Sequence, residues 1–288
     1  MLAYLFPGQG SQTRGMGNQL FDEFSELITE ANEILGYSIK KLCLEDADKQ
    51  LNLTQYTQPA LYVVNALSYY KKIQESKRKP DYVCGHSLGE YNALLAANVF
   101  DFCTGLKLVK KRGELMSRAK NGGMAAIIGL NLHEIETTLK QHSLTTVVIA
   151  NYNTYTQYVI SGPKHDIEQA QQIFGNVSGV NFIPLTVSGA FHSPYMADAE
   201  KQFSKFIKNF QFNLPSMPVI SNIDAKPYHP ANIQENLTKQ ITHPVKWTSM
   251  MEYLLRNDEI NMEEIGPGKV LTGLVKQIRS AFLVKTMG

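Results

Sequence analysis

Gly85-His86-Ser87-Leu88-Gly89 sets a hydroxyl between two glycines. It follows the apolar strand signal Tyr82-Val83-Cys84 and precedes an Ala/Leu-rich helical stretch, Ala93 to Ala97. That context is the one a G-x-S-x-G nucleophile elbow requires. The turn is tight, and the flanking glycines leave room for neighbouring backbone. The Ser87 hydroxyl then stands at a helix N-terminus, where the Leu88 N–H and the helix dipole can stabilise a developing oxyanion. A chance Gly-rich turn is the alternative reading of the same five residues.

An activated serine needs a base. The chain has 7 histidines. His86 adjoins the serine, but successive residues at an elbow point different ways, so its role is to support the turn. His133, His142 and His165 read as solvated, and His229 and His243 lie in loops beside prolines. His192 sits in a small-residue loop, Ser188-Gly189-Ala190-Phe191-His192-Ser193-Pro194. A loop of that kind can return to a cleft, so His192 is favoured over the others as the base, with a structural histidine as the alternative.

Leu106 to Lys120 has helical periodicity. At about 100° per residue, Leu108, Val109, Leu115, Met116 and Ala119 form one stripe, and Arg112 lies at its centre. A guanidinium on a buried face needs a partner. Its i±4 neighbours are Leu108 and Met116, so no carboxylate on the helix can serve. Either a distant acid pairs with Arg112, or its stem snorkels, or the fork awaits a substrate carboxylate. Pro7-Gly8-Gln9-Gly10-Ser11-Gln12 lacks both the Walker lysine and the G-x-G-x-x-G spacing. The Gln9 N–H therefore reads as a second oxyanion donor and the segment as no phosphate loop.

The elements that must position these groups alternate strand with helix. Tyr4-Leu5-Phe6 is a strand. Leu20 to Leu35 is helical, and a second helix starts near Pro59, a good first-turn residue. After Asn121-Gly122-Gly123 the order changes. Met124–Leu130 is a strand, Leu132–Gln141 a helix, Thr145–Ala150 and Gln157–Ser161 two strands joined at Asn151-Tyr152-Asn153, Asp166–Phe174 a helix and Phe182–Val187 a strand. That β-α-β-β-α-β order is the ferredoxin-like unit. The α/β pattern then resumes with the strand Val219-Ile220-Ser221, a helix ending near Ile241, the strand Met262 to Ile265 and a helix from Val270, followed by the apolar triplet Phe282-Leu283-Val284. The expected fold class is α/β. A large α/β-hydrolase-like domain with a parallel sheet (1–121 and 188–288) would carry an inserted small ferredoxin-like domain (122–187). No fused partner domain is expected.

Composition narrows the function classes. At 288 residues, 43% hydrophobic and 19% charged, the chain reads as globular. A net charge of +2 argues against phosphate-driven nucleic-acid binding. The densest basic run, Lys71-Lys72 with Lys77-Arg78-Lys79, reads as a solvated helix end, with an acidic docking partner as the sharper alternative. No stretch approaches a membrane span, and MLAYLFPGQG has no basic n-region, so no signal peptide is expected. Three cysteines without C-x-x-C spacing point away from disulfides and zinc and toward a reducing cytoplasm.

Taken with FPGQGSQ near the start, GHSLGE at the elbow, GAFHS at 189–193, PVKW at 244–247 and EIGPGKVLTGL at 264–274, the Arg112 helix completes a pattern. Across essentially its whole length the chain resembles the malonyl-CoA:acyl carrier protein transacylase family. It looks most like the discrete acyltransferases that serve polyketide synthases in trans. The resemblance implies a ping-pong transfer from malonyl-CoA to the phosphopantetheine thiol of an acyl carrier protein. Ser87 would be the acylated nucleophile and His192 its base and later acid. The backbone carbonyl of Gln240 would orient His192, and the Gln9 and Leu88 N–H groups would form the oxyanion hole. Arg112 would bind the free malonyl carboxylate, Met116 would line the pocket, and Phe191 would leave little space for an α-methyl branch. It further implies no metal or cofactor, no nucleic-acid or membrane partner, and a monomer in the cytoplasm. The fatty-acid transacylase, an acyl-thioester hydrolase with the same elbow, and a non-catalytic binding subunit are the alternatives. Arg112 separates the hydrolase, since a site for neutral acyl groups has no use for a buried cation.

Overall fold

The computed structural model describes residues 1–257 and 259–287. In chain order, β1 is Leu2–Phe6, α1 Leu20–Glu23, α2 Ser25–Leu35, α3 Ile39–Leu44, α4 Thr54–Ser76, β2 Tyr82–Gly85, α5 Gly89–Ala96 and α6 Phe102–Ser117. Then come β3 Gly122–Ile128, α7 Leu132–Gln141, β4 Val148–Thr154, β5 Gln157–Pro163, α8 Lys164–Phe174 and β6 Asn181–Pro184. The last part holds α9 Ala197–Ile207, β7 Val219–Ile220, α10 Ile233–Lys239, α11 Trp247–Leu255, β8 Asn261–Glu264 and α12 Val270–Met287.

Two sheets result. The first has the order β7-β2-β1-β8, and its neighbours pair in parallel. Its central strand, LAYLF, is buried at every position, as a parallel strand covered on both faces must be. The second has the order β4-β5-β3-β6 and is antiparallel. That is the strand order of the ferredoxin-like unit, so the α/β class with a parallel sheet and a second, antiparallel sheet is as expected. The antiparallel sheet has its own apolar core, including Ile127, Ile135, Ile160 and Phe174.

Three expectations need correction. The second helix starts at Thr54, so Pro59 lies inside it. The missing N–H orphans only the carbonyl of Gln55, an exposed residue that water can reach. Asn151-Tyr152-Asn153 is not a turn. These residues belong to β4, which is bulged around them, and the chain reverses at Tyr155-Thr156. Turn-forming residue types misled here because the same short amides suit bulges. Phe282-Leu283-Val284 continues α12 and forms no strand.

A backbone ladder joins β4 to the segment before α11. Tyr152 N–H donates to the Val245 carbonyl at 2.9 Å, and Val245 N–H donates to the Ala150 carbonyl at 2.9 Å. Thus β4, an edge strand of the antiparallel sheet, gains a parallel bridge from outside that sheet. The basic run on α4 is partly neutralised within the chain. Lys71 pairs with Glu23 and Glu75, and Lys72 with Glu263.

Candidate active site

The elbow lies between β2 and α5. A Cβ on Gly85 would fall 1.9 Å from the Gly89 carbonyl carbon, and one on Gly89 would fall 2.0 Å from the Phe6 carbonyl oxygen. Only hydrogen fits at either position, so the turn closes against itself and against the end of β1. Ser87 pays in conformation: its φ is +50°, in the left-handed region that L side chains avoid. Two side-chain amides hold it there. Ser87 N–H donates to Asn222 Oδ1 at 2.7 Å, and Gln240 Nε2 donates to the Ser87 carbonyl at 2.7 Å. Asn222 also donates from Nδ2 to the Gly85 carbonyl at 2.7 Å, bracing both ends of the turn.

His192 comes from the loop before α9 and is also held at positive φ, +57°. Its Nε2 lies 2.8 Å from Ser87 Oγ. Its Nδ1 lies 2.7 Å from the Gln240 carbonyl and 3.1 Å from the His243 carbonyl. Carbonyls only accept, so Nδ1 carries the proton and Nε2 presents its lone pair to the serine hydroxyl. Burial, and then the nearby Arg112 charge, push the His192 pKa down to about 3. The ring is therefore neutral, and ready to accept a proton, through the whole neutral range.

Arg112 projects from α6 and is 1% exposed. Its Nη1 donates to Gln58 Oε1 at 2.8 Å. Its Nη2 donates to Gln240 Oε1 at 2.8 Å and to Ser87 Oγ at 3.2 Å. The guanidinium also lies over the Tyr91 ring, 5.7 Å from its centroid. Among the described residues no carboxylate bonds its fork; the buried acid nearby, Glu90, reaches it only through the Gln240 side chain. Burial lowers its pKa from the ordinary value. A buried cation whose bonded acceptors are all neutral has capacity left for an anion.

Ser87, His192, Arg112, Gln9, Leu88, Met116 and Phe191 all border one cleft of about 90 Å³. The Gln9 and Leu88 N–H groups have no acceptor within the chain among the described residues. Leu88 is also the residue from which α5 starts. Phe191 and Met116 are buried at 5% and 1% exposure, and the Met116 sulfur accepts from Gln58 Nε2 at 3.4 Å. His86 borders the same cleft but bonds Asn153 Oδ1 of β4 at 2.9 Å, with Trp247 packed beside it. Gln240 reaches the site through both its carbonyl and its side chain.

Sequence reasoning missed Gln58, Glu90, Asn153, Asn222 and the His243 carbonyl. Gln58 left a trace: Gln58 and Asn65, seven residues apart, are two buried amides on one face of α4. Asn65 uses its Nδ2 on the Pro7 carbonyl at 3.0 Å, anchoring the loop that carries Gln9. Glu90 and Asn222 left no comparable trace. Among the described residues no group of three or more His, Cys, Asp or Glu could hold a metal ion. No helix among them is long and apolar enough to cross a membrane.

Known proteins resemble this chain in sequence and fold. The model of the acyl transferase domain family matches residues 3–277. The chain is 57% identical over 280 residues to the polyketide biosynthesis malonyl CoA-acyl carrier protein transacylase PksC of Bacillus subtilis, covering 97% of each chain. A malonyl CoA-acyl carrier protein transacylase structure from Burkholderia pseudomallei superposes with a TM-score of 0.96 at 49% identity, covering 97% of this chain and 98% of the other. A third is the complex PlMCAT:AntF (holo), a type II PKS acyl-carrier protein with its malonyl-transacylase. It superposes with a TM-score of 0.90 at 34% identity, covering 97% of this chain and 93% of that one. On the strength of the elbow, its paired histidine and these matches over nearly the full length, the chain belongs to the acyl transferase domain family.

Proposed function

We propose that this acyltransferase moves the malonyl group from malonyl-CoA to the phosphopantetheine thiol of an acyl carrier protein, in the service of a polyketide synthase. The observation that carries the reading is Arg112: a buried guanidinium 3.2 Å from the nucleophilic oxygen and without a carboxylate of its own. A three-carbon diacid bound through its thioester end at Ser87 brings its free carboxylate to that fork. The relatives named for malonyl transfer, one of them for polyketide biosynthesis, support the same choice.

Ser87 Oγ attacks the thioester carbonyl carbon as its proton passes to His192 Nε2. The oxyanion faces the Gln9 and Leu88 N–H groups. The C–S bond breaks, and the proton on Nε2 goes to the departing coenzyme A thiolate. The carrier thiol then gives its proton to Nε2, its sulfur attacks the malonyl ester, and Ser87 recovers the proton. One thioester is exchanged for another, so no metal or redox group is required. In this reading 1–121 and 188–288 form the catalytic body, 122–187 closes over it, the enzyme acts as a monomer in the cytoplasm, and neither nucleic acid nor membrane takes part.

Intact-mass measurement tests the proposal. Incubation with malonyl-CoA should add one malonyl group to the protein and release coenzyme A in a burst. Adding a holo carrier protein should move the group to the carrier. Ser87→Ala should do neither. Release of free malonate faster than transfer to any carrier would make the protein a hydrolase.

A further inference from the structure

Glu90, the second residue of α5, is a carboxylate at 1% exposure that the mechanism above does not use. Three donors converge on it. The Asn222 N–H and the Tyr228 hydroxyl reach Oε1 at 2.7 and 2.8 Å, and Gln240 Nε2 reaches Oε2. The other end of the same amide, Gln240 Oε1, accepts from Arg112 Nη2 at 2.8 Å. The order along this chain is carboxylate, amide, guanidinium. Arginine can only donate, and an ionised carboxylate and the Ser87 carbonyl can only accept, so these three together fix which way the Gln240 amide faces. They also stay one amide apart. Glu90 offsets the buried cation without occupying its hydrogen-bonding fork.

We propose that Glu90 is a positioning residue for acyl selectivity, acting through the Gln240 amide to hold Arg112 with its fork open to the carboxylate of the acyl group. This rests on the malonyl-transfer reading. With Glu90 neutral, the carboxyl or amide in its place has a hydrogen to donate toward Gln240. Gln240 Nε2, held on its other side by the Ser87 carbonyl, then meets a donor where it had an acceptor, the amide is pushed off its line to Arg112, and the guanidinium loses a fixed anchor.

Burial raises the Glu90 pKa to about 7, opposed by the hydrogen bonds from Asn222, Tyr228 and Gln240 and by Arg112. The charged or titratable groups facing it are Arg112 from α6, Tyr228 from beyond β7, Cys84 from β2 and Tyr91 on its own helix. Burial moves the Cys84 thiol and both phenols up, away from neutrality. His192 sits far below it, at about 3. Glu90 is therefore the group of this set that changes charge near neutral pH.

The test uses malonyl and acetyl N-acetylcysteamine thioesters, which carry no titrating phosphate. The readout is the ratio of their kcat/KM values on either side of neutral pH. In the unaltered enzyme the malonyl preference should fall as pH drops through about 7. Glu90→Gln should lower the preference about tenfold or more above that pH, the scale of one charge-assisted hydrogen bond, and should abolish its pH dependence. An unchanged preference in Glu90→Gln, or an equal loss for both acyl groups, overturns the proposal. If Glu90→Gln does not fold, the unaltered enzyme still decides, because a preference that stays flat through neutral pH overturns the proposal by itself. Failure of the transfer reading looks different: no malonyl-serine forms at any pH.

Discussion

In the proposed reaction Arg112 and His192 divide the chemistry between them, and their surroundings explain how. The guanidinium is anchored by two glutamine amides, so its position is set before any substrate arrives. Arg112→Ala should therefore lower kcat/KM for malonyl-CoA by about 10- to 150-fold, corresponding to ~1.5–3 kcal/mol for a charge-assisted hydrogen bond. Acetyl transfer should fall less, and steady-state kinetics with both donors measures the difference. His192 gives a pH signature. Its pKa in the folded protein, about 3, lies below the ordinary 6.5. The neutral ring is thus stabilised by folding, a contribution present above pH 6.5 and lost progressively as pH falls toward 3. The acid limb of serine acylation by an acetyl thioester, read from kcat/KM against pH, should accordingly lie well below 6.5. An acid limb at 6.5 would mean a solvated imidazole.

At the scale of elements, the turn between β2 and α5 is the least tolerant segment. Gly89→Ala would drive a methyl group into the Phe6 carbonyl at 2.0 Å. Overpacking against backbone should destabilise the protein by about 1–3 kcal/mol and remove acylation, which urea unfolding and intact-mass measurement would register. This element was legible in the sequence because strand, turn and helix are contiguous and each has its own pattern. Arg112 was legible because a helical wheel needs only local sequence. Its partners were not. Gln240 lies 128 positions from Arg112, and Asn222 lies 135 from Ser87. A buried amide reads as a polar residue in a loop or helix until the fold supplies the group it bonds. Asn151 and Asn153 misled more actively, since short amides that signal a turn were placed on a bulged strand to reach His86 and the cleft.

At the scale of the molecule, the ladder at Val245 ties β4, which bears the Asn153 bonded to His86, to the segment before α11. Val245→Pro keeps a buried apolar side chain but removes the N–H that bonds the Ala150 carbonyl. The malonyl-enzyme should then hydrolyse several-fold faster, because water reaches the ester more freely, while the initial burst of coenzyme A persists. The lifetime of the adduct in the absence of a carrier is the measurement.

The acceptors of the His192 Nδ1 proton are two peptide carbonyls and no acid side chain. An imidazolium formed there receives dipoles but no counter-charge, so it is a short-lived guest. Protons arriving from either thiol are handed on with similar ease, and neither half-reaction is favoured by the protein itself. Such an enzyme would behave as a valve without a ratchet. Traffic in acyl groups would follow the relative supply of loaded coenzyme and empty carrier, and whatever consumes the loaded carrier downstream would set its direction.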